Sequence, residues 1–443
     1  MSDAPATESA AAEPTAASIR LRLAAMMFVQ YFIQGSYNPI VSVYVQDHLR
    51  FTPQQIGLFG SALAVGPLFA PALLGQLVDR LFATQRVLAV CHFAAGAVMF
   101  ALYASHDVRV VMLLGALYSV LYVPTMMLTN ALALAHLRSR DREFPRIRLW
   151  GTIGYVVPAW LIEYWWLSGL SGTELDRARG LAFALAGVAG IVMGCYSLTL
   201  PDTPPATHAR KRFAPAVAAG LMRYRNLAVL VGVSFFVAMV HNFFFVWNAP
   251  FLSYLLRTGG VEGAWEQRIA SLGQVSEVVV MACLGAALVR FGFKRVMLVG
   301  LAAYTLRCVV LALAYAIDAD FVTRMTLAAG GQILHGFCFG CFLAVAYMYL
   351  DRVAPHDVRG SMQTLYGTTV VGFGALVGSA AAGRLGELCA LSVGTAPSYD
   401  WARLWLSCAA LAAACCVAFA LLFPAAEPEP LEPRSDLEGD THG

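Results

Sequence analysis

Glu277 has the most chemistry to offer of any residue in this chain. It is a carboxyl group in the middle of the stretch Ser271-Leu272-Gly273-Gln274-Val275-Ser276-Glu277, and the six residues after it carry no charge. An ionisable side chain inside a bilayer costs about 2.5–3.5 kcal/mol on insertion scales, so each one is a functional candidate. A carboxyl group in a water-accessible cavity at that depth can load and release a proton. The structural alternative is a permanent ion pair with an Arg, locking two helices together. Gln274 lies three residues earlier on the same helical face and is expected to share its ligand.

A second set lies in Phe144-Pro145-Arg146-Ile147-Arg148-Leu149-Trp150-Gly151-Thr152-Ile153-Gly154-Tyr155. Arg148, Thr152 at i+4 and Tyr155 at i+7 put a cation, a hydroxyl and an aromatic ring on one stripe. Gly151 and Gly154 admit a close neighbouring helix. The other reading of Arg148 is a headgroup anchor, since it is at most two turns into its span. Further along, His241, Asn242, Phe245, Trp247 and Asn248 share one apolar stretch, with Asn242 and Phe245 as candidate ligand contacts. An amide offers both donor and acceptor, and rings offer flat faces, which suits a neutral, planar, hydroxyl-bearing solute. Gln332, His335 and Phe339 form a comparable group, and a histidine there can titrate near neutral pH. Gln30, Gln34, Tyr37 and Asn38 form a polar stripe ending at Pro39, which must face protein or water. Arg307 and Glu163 are also within apolar stretches; their faces are open from sequence, and Arg307 is read as structural.

The elements that must hold these residues are membrane helices. Twelve apolar stretches span about 20–46, 54–79, 85–104, 109–136, 144–168, 178–200, 226–256, 265–291, 295–316, 321–353, 358–385 and 400–424. About 20 apolar residues at 1.5 Å each cross a hydrocarbon core of about 30 Å. The composition agrees: 59% of residues are hydrophobic and 13% charged, against about 25% charged in ordinary globular domains. The longest break, 201–225, carries Pro201, Pro204, Pro205 and Pro215 and the basic run Arg210-Lys211-Arg212. It reads as a cytoplasmic linker between an N-terminal six-helix bundle, 19–200, and a C-terminal one, 226–424. Residues 1–18 and 425–443 read as disordered cytoplasmic tails, the first without the basic start or cleavage site of a signal peptide. With both ends inside, 20 of the 30 Lys and Arg residues fall on the cytoplasmic side, 9 fall outside and Arg307 is within a span. That asymmetry orients the chain.

An internal repeat supports two halves. Gly75-Gln76-Leu77-Val78-Asp79-Arg80 followed by Arg86 is echoed by Gly285-Ala286-Ala287-Leu288-Val289-Arg290 followed by Lys294-Arg295. Gly75, Asp79, Arg80, Arg86, Arg290 and Arg295 are therefore expected to form a cytoplasmic gate. The pattern Gly-x-x-x-Asp-Arg with a trailing Arg resembles the loop signature of the major facilitator superfamily. The resemblance implies its all-α membrane fold of two six-helix bundles related by a pseudo-two-fold axis along the membrane normal.

Within that superfamily the stretch from Phe144 to Gly154 looks like the nucleoside:proton symporter family. Gln30-Tyr31-Phe32-Ile33-Gln34-Gly35-Ser36, Pro71-Ala72-Leu73-Leu74-Gly75, Val90-Cys91-His92, Thr199-Leu200-Pro201 and Gln274-Val275-Ser276-Glu277 are also similar. The resemblance runs from the first span to the eleventh. It implies nucleoside contacts at Arg148, Thr152, Tyr155, Gln274 and Glu277, with an amide near Asn242, and proton coupling at Glu277. One position departs: the family expects an acidic residue at about Gly340, and none is there. Either Glu277 carries the proton, alone or with His335, or coupling is weaker, or the substrate differs.

Several classes are excluded or disfavoured. A net charge of +3 is too small to imply a nucleic-acid partner. No phosphate loop for ATP hydrolysis is present, and no catalytic triad or zinc-ligand pair. Cys338 and Cys341 are spaced C-x-x-C without a second pair, so they read as helix-packing residues. The expectation is an inner-membrane monomer importing nucleosides with protons by alternating access, with no cofactor and no metal. The rivals are the same fold moving another polar solute such as a sugar, or working as an exporter, and a membrane sensor without transport.

Overall fold

The computed structural model of the protein describes residues 16–69, 82–204, 220–261, 263–355, 359–391 and 398–424. Gly75, Asp79 and Arg80 lie outside these residues. Helix α1, Ala16–Tyr37, stops at Asn38-Pro39, where the ring of Pro39 removes a backbone donor, and the chain resumes as α2, Val41–Asp47. Helix α3, Pro53–Leu63, opens with a capping box: the Thr52 hydroxyl accepts from the Gln55 amide and the Gln55 side chain accepts from the Thr52 amide. The chain continues as α4, Thr84–Ala104, α5, Val108–His136, and α6, Arg140–Leu161, which runs into a π-helical turn at Ile162–Trp166. Two helices, α7, Gly172–Ala178, and α8, Leu181–Ser197, lead to the linker.

After the linker come α9, Arg225–Thr258, and α10, Glu266–Ala316. The sequence suggests a loop near 291–295. Instead α10 turns at one residue, Gly292, whose φ of +74° suits a residue without Cβ. Then follow α11, Phe321–Cys338, a π-helical turn Phe339–Ala344, α12, Val345–Val353, α13, Arg359–Gly367, a second π turn Thr368–Gly374, α14, Ala375–Leu388, and α15, Trp401–Leu422. A two-strand hairpin pairs Ala390 with Tyr399. Among the described residues eight helices are long and apolar enough to cross a membrane. Leu113, Val289 and Leu421 are exposed, as a lipid-facing surface requires, and Tyr164, Trp165 and Trp166 form an exposed aromatic group at one span end.

Before the linker, α1 packs along α6 and α8, and α4 along α5 and α8; after it, α10 packs along α11 and α15, and α9 along α14. The two sets meet where α3 crosses α14, α6 crosses α10 and α2 meets α9. The candidate residues Arg148, Thr152 and Tyr155 are on α6, and Gln274 and Glu277 are on α10, the two helices that cross there.

Candidate functional site

One wall is α1 against α6. Gly154, read as a close-approach point, acts as one: a Cβ on it would run into the Phe28 backbone, and on the facing helix a Cβ on Gly35 would run into the Tyr155 backbone. This close crossing brings the Arg148 guanidinium over the Tyr31 ring, 4.1 Å from its centroid, a cation–π contact. One helical stripe further, the Asn38 amide donates to the Tyr155 hydroxyl at 3.0 Å.

The other wall is α10 with α9 and α11. The Glu277 side chain is 23% exposed and its carboxylate stands 4.0 Å from His335 Nε2. Among the described residues no Lys or Arg comes within that distance of it, so the permanent ion pair is not formed. Arg148 on the opposite wall acts on Glu277 through its field, and Tyr31 and Tyr155 lie within reach of the Glu277 charge. His335 is buried, and its Nδ1 is 3.0 Å from Arg307 Nη1. A guanidinium only donates, so Nδ1 accepts, and the proton of the neutral ring sits on Nε2, facing Glu277. His335 also stacks on His241 at 5.5 Å and on Phe244 at 5.8 Å, while Arg307 lies 3.9 Å over the Phe244 ring.

Between the walls is a small, partly open cavity. Asn38, Pro39, Tyr155 and Ala159 line it from the first set of helices; Phe244, Phe245, Asn248, Ala249, Gln267, Ala270, Ser271, Gln274, Gln332 and His335 line it from the second. Residues 267, 270, 271 and 274 are one stripe of α10, and Glu277 is its next member. Five carboxamides and few charges make this a chamber for a neutral polar solute.

The structure thus brings Tyr155, Phe245, Gln274 and His335 to the cavity; Glu277 stands 4.0 Å from the lining residue His335, and Arg148 lies over Tyr31 on the other wall. Thr152 is half-buried on the face between Arg148 and Tyr155 but is not among the lining residues. Gln34 and Phe339 are also half-buried and off the lining; Phe339 sits 6.4 Å from the His241 ring. Asn242 turns its amide back to the Ala238 carbonyl, 2.9 Å away, and Asn248 supplies the helix-nine amide instead. Gln30 is buried, donating to Thr125 and accepting a contact from His92. Gly340 sits in the π turn, where a Cβ would press on Val280. Arg86, Arg290 and Arg295 are exposed, and no ion pair reaches them from the described residues. Cys338 and Cys341 are buried within their helix.

Sequence reasoning missed a charge network, buried except for Arg257, at the end of the bundle away from the linker. Arg179, between α7 and α8, bonds Asp176 at 2.7 Å and, across to α10, Glu266 at 2.5 Å. Arg257, at the end of α9, reaches back to Asp47 at 2.6 Å and Asp176 at 2.9 Å. Glu163 accepts the peptide N–H groups of Gln267 and Arg268, at 2.6 and 3.0 Å, capping the start of α10. Apart from Arg179–Asp176, each of these bonds ties a residue before the linker to one after it. The only hint in the sequence is that acidic residues stand at the edges of apolar stretches.

The family model described as "Nucleoside H+ symporter" matches residues 17–427. The putative nucleoside transporter YegT of Escherichia coli K12 is 29% identical over 411 residues, covering 91% of this chain and 93% of that protein. The xanthosine permease of the same organism is 26% identical over 404 residues, covering 88% and 92%. The crystal structure of the nucleoside transporter NupG superposes with a TM-score of 0.80 at 24% identity, covering 92% of this chain and all of that one. The fold is that of the major facilitator transporters.

Proposed function

Since this chain belongs to the nucleoside H+ symporter family, we propose that it imports nucleosides across the inner membrane, driven by protons, through alternating access. Supporting this most directly is the amide-lined chamber between the two halves. Arg148 and Glu277 come from opposite sides of the linker, and the Arg148 charge acts on the Glu277 carboxylate without an ion pair. A proton on Glu277 removes the charge facing Arg148 and His335, and a carboxylic acid both donates and accepts hydrogen bonds. Ribose and base then occupy the space among Tyr155, Gln274, Asn248, Gln332 and the Phe244–Phe245 rings. Loss of the proton restores the negative charge and weakens the hold on the solute. One carboxyl group carries the proton here; His335 has Nδ1 already accepting from Arg307 and Nε2 4.0 Å from Glu277, and it carries no second proton while the Arg307 bond lasts.

The charge network of Arg179, Glu266, Arg257, Asp47 and Asp176 holds the outer end shut, and the cytoplasmic loops at Gly75–Arg86 and Arg290–Arg295 form the opposing gate. The protein works as a monomer with both termini in the cytoplasm. The test is uptake of labelled uridine or adenosine into proteoliposomes with an imposed pH gradient. Accumulation that collapses without the gradient, and in Glu277→Gln, is the expected result. Accumulation unchanged by either would refute proton coupling at this residue.

A further inference from the structure

Gln267 is fully buried in the first turn of α10, lines the cavity, and has no hydrogen-bond partner among the described residues for either its Oε1 or its Nε2. Its backbone is held: its N–H donates to Glu163 at 2.6 Å. The polar groups nearby are occupied. Gln332 donates to Asn248 at 2.8 Å, and Ser271 accepts from Trp160 at 3.1 Å while donating to the Arg268 carbonyl. Buried amides in native proteins are almost always paired, because desolvating one without a partner is costly. A carboxamide left idle at the wall of a binding cavity is therefore a group waiting for ligand.

We propose that Gln267 is the group that reads the base, pairing its donor and acceptor together with the hydrogen-bonding edge of the nucleobase. This rests on the nucleoside reading above. Each common base presents a donor next to an acceptor on its pairing edge, and a carboxamide can meet such an edge with two bonds. Turning the amide by half a rotation reverses the order, so one glutamine serves purines and pyrimidines alike. About 15 Å of helix rise separates Gln267 from Glu277, which puts base recognition at one end of the chamber and the ribose toward the proton carrier.

The experiment is calorimetric binding of uridine and 3-methyluridine to the purified full-length protein, wild type and Gln267→Met, with melting curves taken without ligand. Methylation at N3 removes the donor of the base edge. The wild type should bind uridine about ten-fold or more tighter than 3-methyluridine. In Gln267→Met uridine affinity should fall to that of the methylated analogue, and the discrimination should vanish, as non-additivity requires for two changes to one contact. Without ligand the variant should melt no lower than wild type, since it replaces an unpaired amide by an apolar group of similar size. Equal wild-type affinity for the two ligands would overturn the assignment whatever the variant does. So would discrimination that survives in Gln267→Met, or a lower melting point with unchanged affinity. A wild type that binds no nucleoside at all removes the functional reading first, and this one with it.

Discussion

Replacing Arg179 by Met tests how the end of the bundle away from the linker is held shut. Arg179 and Glu266 are each 1% exposed and 2.5 Å apart, and no other cation within 4.0 Å of Glu266 is found among the described residues. Asp47 and Asp176 keep Arg257, at 2.6 and 2.9 Å. The substitution therefore strands one buried carboxylate. Removing one partner of a buried pair costs about 3–5 kcal/mol. That cost falls on the closed arrangement alone, because opening this end lets Glu266 reach water. At about 1.4 kcal/mol per decade, the closed-to-open ratio drops by roughly a hundred-fold to a few thousand-fold. Hydrogen–deuterium exchange of the purified protein should show faster exchange over residues 41–47 and 266–271 in Arg179→Met. The double variant Arg179→Met/Glu266→Gln leaves no stranded charge, and replacing a whole buried pair is often near neutral, so protection should largely return. Wild-type exchange in the single variant, or a double variant no better protected than the single, would show that these charges do not hold the end closed.

Other consequences follow from the same geometry. Glu277→Gln should abolish accumulation against a gradient while leaving nucleoside-dependent thermal stabilisation, and its uptake should lose its pH dependence, measured from pH 5 to 8. Arg148→Lys keeps the charge but loses the planar stack on Tyr31, worth about 0.5–2 kcal/mol, so the KM for uridine uptake should rise by about two-fold to thirty-fold. Gly154→Ala places a methyl group against the Phe28 backbone, where neither helix can yield without moving the Arg148 stripe. A loss of about 1–3 kcal/mol, read as a lower melting temperature, should accompany a raised KM.

Much of the architecture was legible in the residues themselves. A hydrocarbon solvent allows few solutions to backbone hydrogen bonding, so apolar stretches of about 20 residues declare membrane helices regardless of their neighbours. Intramembrane charge is expensive enough that Glu277 and Arg148 stand out one residue at a time. Helical periodicity then puts Gln274 on the face of Glu277, and Tyr155 on the face of Arg148. The glycines at 151 and 154 announced a close helix without saying which; the fold supplied α1.

Choices among equivalent polar residues could not be read from one helix alone. Asn242 and Asn248 are both amides in the same stretch, and only the rotation of α9 against α10 and α11 decides that Asn248 faces the cavity while Asn242 bonds its own helix. His335 looked like a second proton carrier until the fold set Arg307, 28 residues away in sequence, against its Nδ1. Asp47, Asp176, Arg179, Arg257 and Glu266 are five loop-edge charges in the sequence and one connected network in space, because ion pairing depends on distances that only helix assembly sets. Gln267 is the sharpest case. Its residue type is ordinary at a helix start, and its meaning comes entirely from being buried at a cavity wall with nothing in the described chain to bond.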